Sequence, residues 1–355
     1  MRSQAVSPVS LASLALLLAA CSDSTPRPPD ARAPDRAAAT EASPDGRGDR
    51  AVTEGPHGDR GKDATPDLAP GTGPFRIVTF NVQCLLNDPA TRIKNLAAAA
   101  QKLDPDTMIL QEVCQSIGSN GSDNFAGSLC AELKKLTGVD WDYAWSKASI
   151  SWINLTPGFP GYEEGVAVVA RKAELADSGW RQLPPANGQP FPRKLVWGRV
   201  ATPRGGFYAY SLHLVPGDSY WQIRVDEVKD ALVLVNQHLA AGLPQVIAGD
   251  FNDKYCTGPL TAMTAGPPAF TDAWASKYPS KICSDPFCDK NSCTGTACGC
   301  TESRDSNGPT TRIDYIFIRS AALKTVDQAQ VVFDQPYSGA YLSDHDGVFV
   351  EFTPP

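Results

Sequence analysis

Apolar and polar positions along the chain change period several times, and each change marks a predicted element. Phe75 to Val82 (FRIVTFNV) alternates and is rich in β-branched and aromatic residues, which predicts a strand. Asp88 and Pro89 follow as an N-cap and first helical position, and Ile93, Leu96, Ala100 and Leu103 recur at helical spacing. Asp104-Pro105-Asp106 stops that helix, and Thr107 to Val113 (TMILQEV) predicts a second strand. Tyr162 to Arg171, Arg193 to Ala201 and Phe207 to Leu214 predict further strands. Ser219 and Gln222 have capping-box spacing ahead of Val228, Leu232, Val235 and Leu239, which share one helical face. Gln245 to Ala248 reads as a short buried strand, and Arg312 to Ile318 and Gly347 to Phe352 close the set. Strands mixed with a few long helices predict an α/β (α+β) domain whose sheets are covered by helices.

Ahead of Phe75 the pattern is different. Arg2 is followed by a mostly apolar run from Leu11 to Ala20, too short to span a bilayer as a helix. The run ends in Leu18-Ala19-Ala20-Cys21, which resembles a bacterial lipobox; the plainer alternative is an ordinary signal peptide with a chance cysteine. Residues 1–21 are read as a lipoprotein signal peptide, and Ser22 in place of Asp after the cysteine points, by that resemblance, to the outer membrane. Residues 22–73 are dominated by Pro, Asp, Arg, Gly, Ala and Thr, with no aromatic residue. Such a segment buries too little apolar surface to offset its ordering entropy, so it is expected to be a disordered tether spanning roughly 40 Å as a coil. The folded domain is expected over 74–355. The expected location is the cell envelope, as an outer-membrane lipoprotein, or the extracellular space.

Hydrophobic residues make up 42% of the chain, enough for a sizeable core, and the net charge of −7 gives no broad basic face for gripping a duplex. A bound cation can reverse the local field, so an enzyme acting on a polyanion is not excluded. Of the ten cysteines, nine remain once Cys21 is set aside, which leaves at least one free thiol or an intermolecular bond. Cys283, Cys288, Cys293, Cys298 and Cys300 crowd into one stretch, as a disulfide-stapled loop or a zinc knuckle. An oxidising compartment and the C-x4-C spacings favour disulfides.

Polar residues gather where the predicted strands end. Asn81 closes the first strand, Glu112 the second, and His213 lies near the end of a third. Asp250 and Asn252 follow the QVIA run, Asp314 lies within RIDYIFI, and Asp344 and His345 precede the last strand. The motifs TFNVQ, LQEV, YSLHL, GDFN, RIDYIF and SDH, in this order over residues 75–352, resemble the endonuclease/exonuclease/phosphatase superfamily, especially its deoxyribonuclease-I-like members. That resemblance implies a four-layer α-β-β-α sandwich, two mixed β-sheets face to face with helices outside.

The residue types suit phosphate-ester hydrolysis, which builds charge on oxygens that a hard cation, Mg²⁺ or Mn²⁺, can neutralise. Glu112 is the foremost candidate ligand, with Asn81 and Asp344 beside it. Asn252 suits a hydrogen bond to phosphate, Asp250 suits orienting or deprotonating the attacking water, and His345 suits stabilising charge or acting as a base. Asp314 suits orienting His345, and His213 suits protonating the leaving oxygen. Each has a plainer alternative: Glu112 a rim salt bridge, Asn252 or Asp344 a turn cap. Two of the four histidines, His213 and His345, fall in the motifs, while His57 lies in the tether and His238 on a helix reads as structural. Gln83 stands where some superfamily members carry an Asp, and Gly161-Tyr162-Glu163-Glu164 where some place a phosphate-contacting Arg or Tyr. Tyr162 is read as a strand-edge residue, and Glu163 and Glu164 would repel a polyanion without a metal. Cys84 has two candidate arrangements around it: a bond to Cys114, or Cys114 paired with Cys130 instead.

The expected function is a divalent-metal-dependent phosphodiesterase, a DNase-like nuclease that acts as a monomer with no protein partner evident. Nucleic acid is favoured over phospholipid as substrate, and the lipid anchor holds the chain to a membrane. The alternatives are a phospholipase C, sphingomyelinase or phosphomonoesterase activity on the same site, and a catalytically inactive surface-binding lipoprotein.

Overall fold

A computed structural model of the chain describes residues 73–84, 88–117, 123–152, 161–184, 192–254, 257–265, 269–279, 299–302, 311–319 and 326–353. The expected signal peptide, nearly all of the tether, and Cys283, Cys288, Cys293 and Cys298 lie outside them. The first sheet has the order β11 (Val326–Val332), β12 (Gly347–Phe352), β1 (Phe75–Asn81), β2 (Thr107–Ser116), β4 (Tyr162–Arg171), β3 (Trp141–Trp152). The second has the order β5 (Leu175–Gln182), β6 (Lys194–Thr202), β7 (Gly205–His213), β8 (Gln245–Asp250), β10 (Asp314–Arg319), β9 (Thr271–Asp272).

Each sheet contains one parallel pair at its centre. β1 and β2 are joined through α1 (Pro89–Leu103), and β7 and β8 through α3 (Trp221–Gln237). A parallel pair needs a crossover, and the helical crossover covers the outer face of its own sheet. The burial follows from this. Ile77, Ile109, Val168, Phe207, Val246, Ile316 and Val350 fill the space between the sheets. Val78, Phe80, Met108 and Leu110 point outward onto α1 and α2 (Phe125–Thr137), with Leu96, Ala100, Leu129 and Leu133 opposite. Leu212, Ile247 and Phe317 do the same beneath α3 and α4 (Gly258–Ala265). Strands buried on both faces lose the hydrophobic alternation and read as continuous apolar runs, as QVIA over 245–248 and GVAVVA over 165–170 do here. The architecture is the four-layer α-β-β-α sandwich of mixed sheets.

Three local readings are corrected. β2 runs on to Ser116 rather than ending near Val113, because its ladder with β4 resumes after an irregularity between Leu110 and Val113. Asp314 is the first residue of β10 rather than an interior one. Ser219 and Gln222 form no capping box: a 3-10 turn over Asp218–Tyr220 runs directly into α3, so Ser219 sits inside a helical turn, and the N-cap position, Tyr220, makes no side-chain cap. Among the described residues no helix is long and apolar enough to cross a membrane.

Candidate active site

The C-terminal ends of the two parallel pairs deliver the site. Asn81 ends β1, and Glu112 follows Gln111, the register partner of Asn81 on β2. Glu112 has φ 52 and sits in the irregularity of β2, where an added residue re-aims a side chain out of the ladder. His213 and Asp250 end β7 and β8 and are register partners. Gly249 sets that last turn: its φ is +148, and a Cβ there would stand 1.9 Å from the Leu212 carbonyl oxygen.

Asp250 is the meeting point. Its Oδ2 accepts from Asn81 Nδ2 at 3.1 Å and faces Nε2 of His213 at 3.5 Å and Nε2 of His345 at 3.9 Å. Its Oδ1 accepts from the Asn252 backbone N–H at 2.8 Å, and Asn252, at φ 48, also donates Nδ2 to the Leu214 carbonyl. Burial raises the Asp250 pKa, and Asp314 raises it further, against the pull of His345, the Asn252 amide and Asn81.

The two imidazoles are shifted in opposite directions. His345 Nδ1 bonds Asp314 Oδ2 at 2.9 Å, and the same oxygen accepts from Thr301 Oγ1 at 2.6 Å. Burial alone would lower the His345 pKa, but Asp314, Asp250 and Asp344 together raise it well above its usual value. His213 is lowered well below its usual value, by burial first and then by Arg193 and His345. Arg193 Nη1 lies 3.2 Å from His213 Nδ1. A guanidinium only donates, so Nδ1 accepts and the ring is neutral with its proton on Nε2. In that tautomer His213 turns an N–H toward Asp250.

The candidate metal ligands stand on the other side of Asp250. Asn81 Nδ2 also donates to Glu112 Oε1 at 3.0 Å, and Gln83 Nε2 donates to Asp344 Oδ2 at 2.7 Å. Gln83, where a carboxylate had been looked for, thus tethers the exposed Asp344. Burial raises the Glu112 pKa, and Glu164 and Asp344 raise it further, while Asn81 and His345 oppose the shift. Glu164 and Asp344 crowd the half-buried Glu112 carboxylate, and a hard cation relieves such crowding with oxygen donors alone. Donor atoms of Asp250, Asp314 and His345 also lie within 4.8 Å of one another. Within that trio, His345 Nδ1 and Asp314 Oδ2 are already joined by a hydrogen bond of 2.9 Å.

Several supporting residues carry no sequence motif. Arg92 on α1 donates to the carbonyls of Leu342 (2.8 Å), Gln83 (3.1 Å) and Val82, binding the loop after β1 to the loop before β12. Arg224 holds Asp253 at 2.8 Å and the Val215 and Gly217 carbonyls, while Glu227 accepts from Val215 N at 3.0 Å. Glu227 is pushed up to about 7 by burial. Glu163 turns away to Lys147 (2.7 Å), whereas Glu164, one position on and so on the opposite strand face, lies 3.8 Å from His213 Nδ1. Tyr162 packs on the core under α2. His238 stacks on Tyr208 at 4.5 Å and bonds the Tyr210 hydroxyl, a structural role. Cys84 is bonded to Cys114, and Cys130 is a buried free thiol.

Residues 78–345 match the model of the Endonuclease/Exonuclease/phosphatase family. No curated protein matches the chain. Among solved structures, the chain is similar to an endonuclease/exonuclease/phosphatase family protein from Leptotrichia buccalis C-1013-b, at 21% identity and TM-score 0.58, covering 78% of this chain and 99% of that one. It is similar to truncated Caenorhabditis elegans TDP2, at 18% identity and TM-score 0.54, covering 79% and 97%. It is also similar to the human nocturnin catalytic domain with bound sulfate anion, at 18% identity and TM-score 0.57, covering 79% and 93%. At these identities the likeness speaks for the fold.

Proposed function

The chain belongs to the endonuclease/exonuclease/phosphatase family, whose members are hydrolases of phosphoester bonds, and on that premise we propose that it is a divalent-metal-dependent phosphodiesterase acting on nucleic acid, DNase-like. One observation carries the reading: Asp250 Oδ2 is faced at once by Asn81 and by Nε2 of both His213 and His345. A buried carboxylate with a raised pKa, ringed by donors, is suited to take the proton of an attacking water. His345, held by Asp314, offers a charged N–H to a phosphoryl oxygen, and Asn252 offers amide hydrogens beside it. His213 offers its Nε2–H.

Glu112, with Asn81 and Asp344, would hold Mg²⁺ or Mn²⁺; such an ion supplies electrostatic stabilisation to the non-bridging and leaving oxygens. The human nocturnin catalytic domain binds a sulfate anion, a tetrahedral ion of the same shape as phosphate, on a similar fold. The −7 net charge fits weak, shallowly salt-dependent binding of DNA.

The test is the purified full chain offered single-stranded DNA, duplex DNA, RNA, sphingomyelin vesicles and p-nitrophenyl phosphate, with Mg²⁺ and with chelator. Metal-dependent cleavage of DNA is expected to dominate. Release of phosphocholine beside intact plasmid would move the site to a phospholipid substrate, and turnover of the phosphomonoester alone would make it a phosphatase. The lipobox-like Leu18 to Cys21 would tether this activity to the envelope membrane, most simply the outer membrane. Cys21→Ser is then expected to leave the membrane fraction, and an unmodified Cys21 in the mature protein would refute the anchor.

A further inference from the structure

Arg193 stands where a histidine's carboxylate partner would ordinarily stand. The site's other imidazole shows the usual arrangement, His345 Nδ1 against Asp314 at 2.9 Å. At His213 the carboxylate of Glu164 is in reach, 3.8 Å from Nδ1, yet Arg193 Nη1 comes closer to the ring, 3.2 Å from Nδ1 and 3.6 Å from Glu164. Arg193 is a buried residue, and its Nε has no partner. Its charge is answered by Glu164 from β4 and by Glu227 from α3, whose own titration it influences. Leu183 N donates to the Arg193 carbonyl at 3.0 Å, which holds the backbone in place as β6 begins.

We infer that Arg193 is a positioning residue that locks His213 as the neutral Nε2–H tautomer, making His213 a hydrogen-bond donor rather than a proton donor. The chemistry is that of the donor inventory: an Arg N–H cannot accept, so the ring nitrogen it faces must. With Nδ1 occupied, the only ring proton is on Nε2, and it points at Asp250 Oδ2. Protonating Nδ1 would set two donors head to head in a buried space. Without Arg193, the Glu164 carboxylate remains 3.8 Å from Nδ1, and a carboxylate there favours a protonated Nδ1 and a charged ring. The groups facing His213 are Glu164 from β4, Arg193 at the start of β6, Asp250 from β8, and His345 from the loop before β12.

The consequence for the reaction rests on the phosphodiesterase reading. Water attacks phosphorus, its proton goes to Asp250, and the P–O bond to the leaving group breaks. The leaving oxygen departs as an anion that takes its proton from solvent, while His213 retains its own proton and keeps its Nε2–H on the Asp250 side, beside the attacking water. One imidazole is thus kept charged and the other kept neutral by opposite choices of Nδ1 partner.

The test is ring-nitrogen NMR of the ¹⁵N-histidine-labelled full chain, which has four histidines, His213 being assigned by its loss in His213→Ala. In the wild type, His213 is expected to show a bare Nδ1, a protonated Nε2 and no titration from about pH 5 to 8. In Arg193→Ala the ring is expected to gain a proton on Nδ1 and to titrate in that window. Arg193→Lys, still a pure donor, is expected to keep the wild-type signature and guards against a variant that fails to fold. In the rate, Arg193→Ala is expected to lower kcat about 10- to 100-fold with KM little changed, and to add one ionisation to the pH profile that Arg193→Lys lacks. A titrating or Nδ1-protonated His213 in the wild type, or an unchanged tautomer in folded Arg193→Ala, would overturn the inference. The NMR result stands whether or not nucleic acid is the substrate.

Discussion

The two halves of the sandwich solve one problem in different ways. Each places two polar side chains at the C-terminal ends of a central parallel pair, Asn81 and Glu112 on the first sheet, His213 and Asp250 on the second. On the second sheet the two residues are in register, and the only concession is Gly249, whose missing Cβ lets the chain pass the Leu212 carbonyl. On the first sheet Asn81 is in register with Gln111, one short of Glu112, and a break in the β2 ladder with positive φ at Glu112 turns its carboxylate toward the site. On the proposed reading the in-register half presents a proton acceptor, Asp250, beside a fixed N–H donor, His213, and the irregular half presents oxygen donors beside crowded acids. A proton relay needs fixed short distances, whereas cation ligands tolerate a looser frame.

That division predicts a ranking of effects. Asp250→Ala should be the most damaging, a loss of at least ~10³-fold in kcat with the fold intact by circular dichroism, since it removes the group both imidazoles face. Near-normal turnover in that variant would end the division at its centre. Asp314→Asn should cost about 10²-fold, because His345 loses the partner that keeps it charged, and the loss should grow as pH rises. A rate independent of pH beyond that of the wild type would place Asp314 in packing alone. Glu112→Gln should act on metal more than on rate, raising the Mg²⁺ needed for half-maximal activity roughly 10- to 100-fold with kcat partly restored at high Mg²⁺. If saturating metal restores nothing, Glu112 belongs with the relay and the halves are not distinct.

Stability supplies the gentler tests. Cys84→Ser opens a bridge of sequence separation 30 between the two arms of the first half. It should cost about 3 kcal/mol, a fall of roughly 5–10 °C in Tm, and weaken metal activation without touching the His345–Asp314 pair. Glu112, Asp250 and His345 all have folded-state pKa values raised above their ordinary ones. A raised group lends stability that is full below its unfolded pKa and lost as pH rises through its folded pKa. His213 is lowered, so it costs stability only below the ordinary imidazole range, near pH 6.5, and is silent above it. Above about pH 6.5, thermal melts with chelator should therefore show Tm falling with pH, and added Mg²⁺ should flatten the slope by favouring the ionised carboxylates. A chelated protein that gains stability with rising pH would contradict these shifts.

The central elements were legible in the sequence and the edges were not. β1, β2, β4, β6, β7, β8, β10 and β12 carry dense apolar runs, and α1 carries both its cap and its stripe. β5 and β11 are edge strands with exposed Asp, Ser, Gln and Glu-like polarity on one face, as in LADSGWRQ and VDQAQVV, so little periodicity marks them. α2 begins FAGS, where Gly127 and Ser128 dilute the helical signal, although Asn124 caps it. In the site, order-specific motifs showed which residues gather, but not their partners. Thr301 lies at the end of the cysteine-rich stretch and reaches Asp314 only through the fold. Arg193 is 20 residues from His213 in sequence, immediately ahead of the neighbouring strand, and nothing local announces a guanidinium against an imidazole. Charge state is decided by such distant neighbours, which is why the roles of His213 and His345 diverge beyond what two similar motifs convey.

Between the sheets, in a largely apolar layer, lies a small polar bridge. Gln111 Nε2 donates to Thr79 Oγ1 and to Ser211 Oγ, each at 3.3 Å, and Ser211 Oγ donates to the Leu110 carbonyl at 2.9 Å. Apolar faces attract without direction, so two sheets greased by valine and isoleucine could settle at several offsets along the strands. A one-residue slip is about 3.3 Å, several times the misplacement of ~1 Å that already costs reactivity. Buried hydrogen bonds are directional and expensive to leave unmade. They act as dowels between two machined plates: the fit of the plates comes from the grease, and their alignment from the pins. The site at the rim is assembled from both plates, so its tolerance is set some distance beneath it, at Ser211 and Gln111.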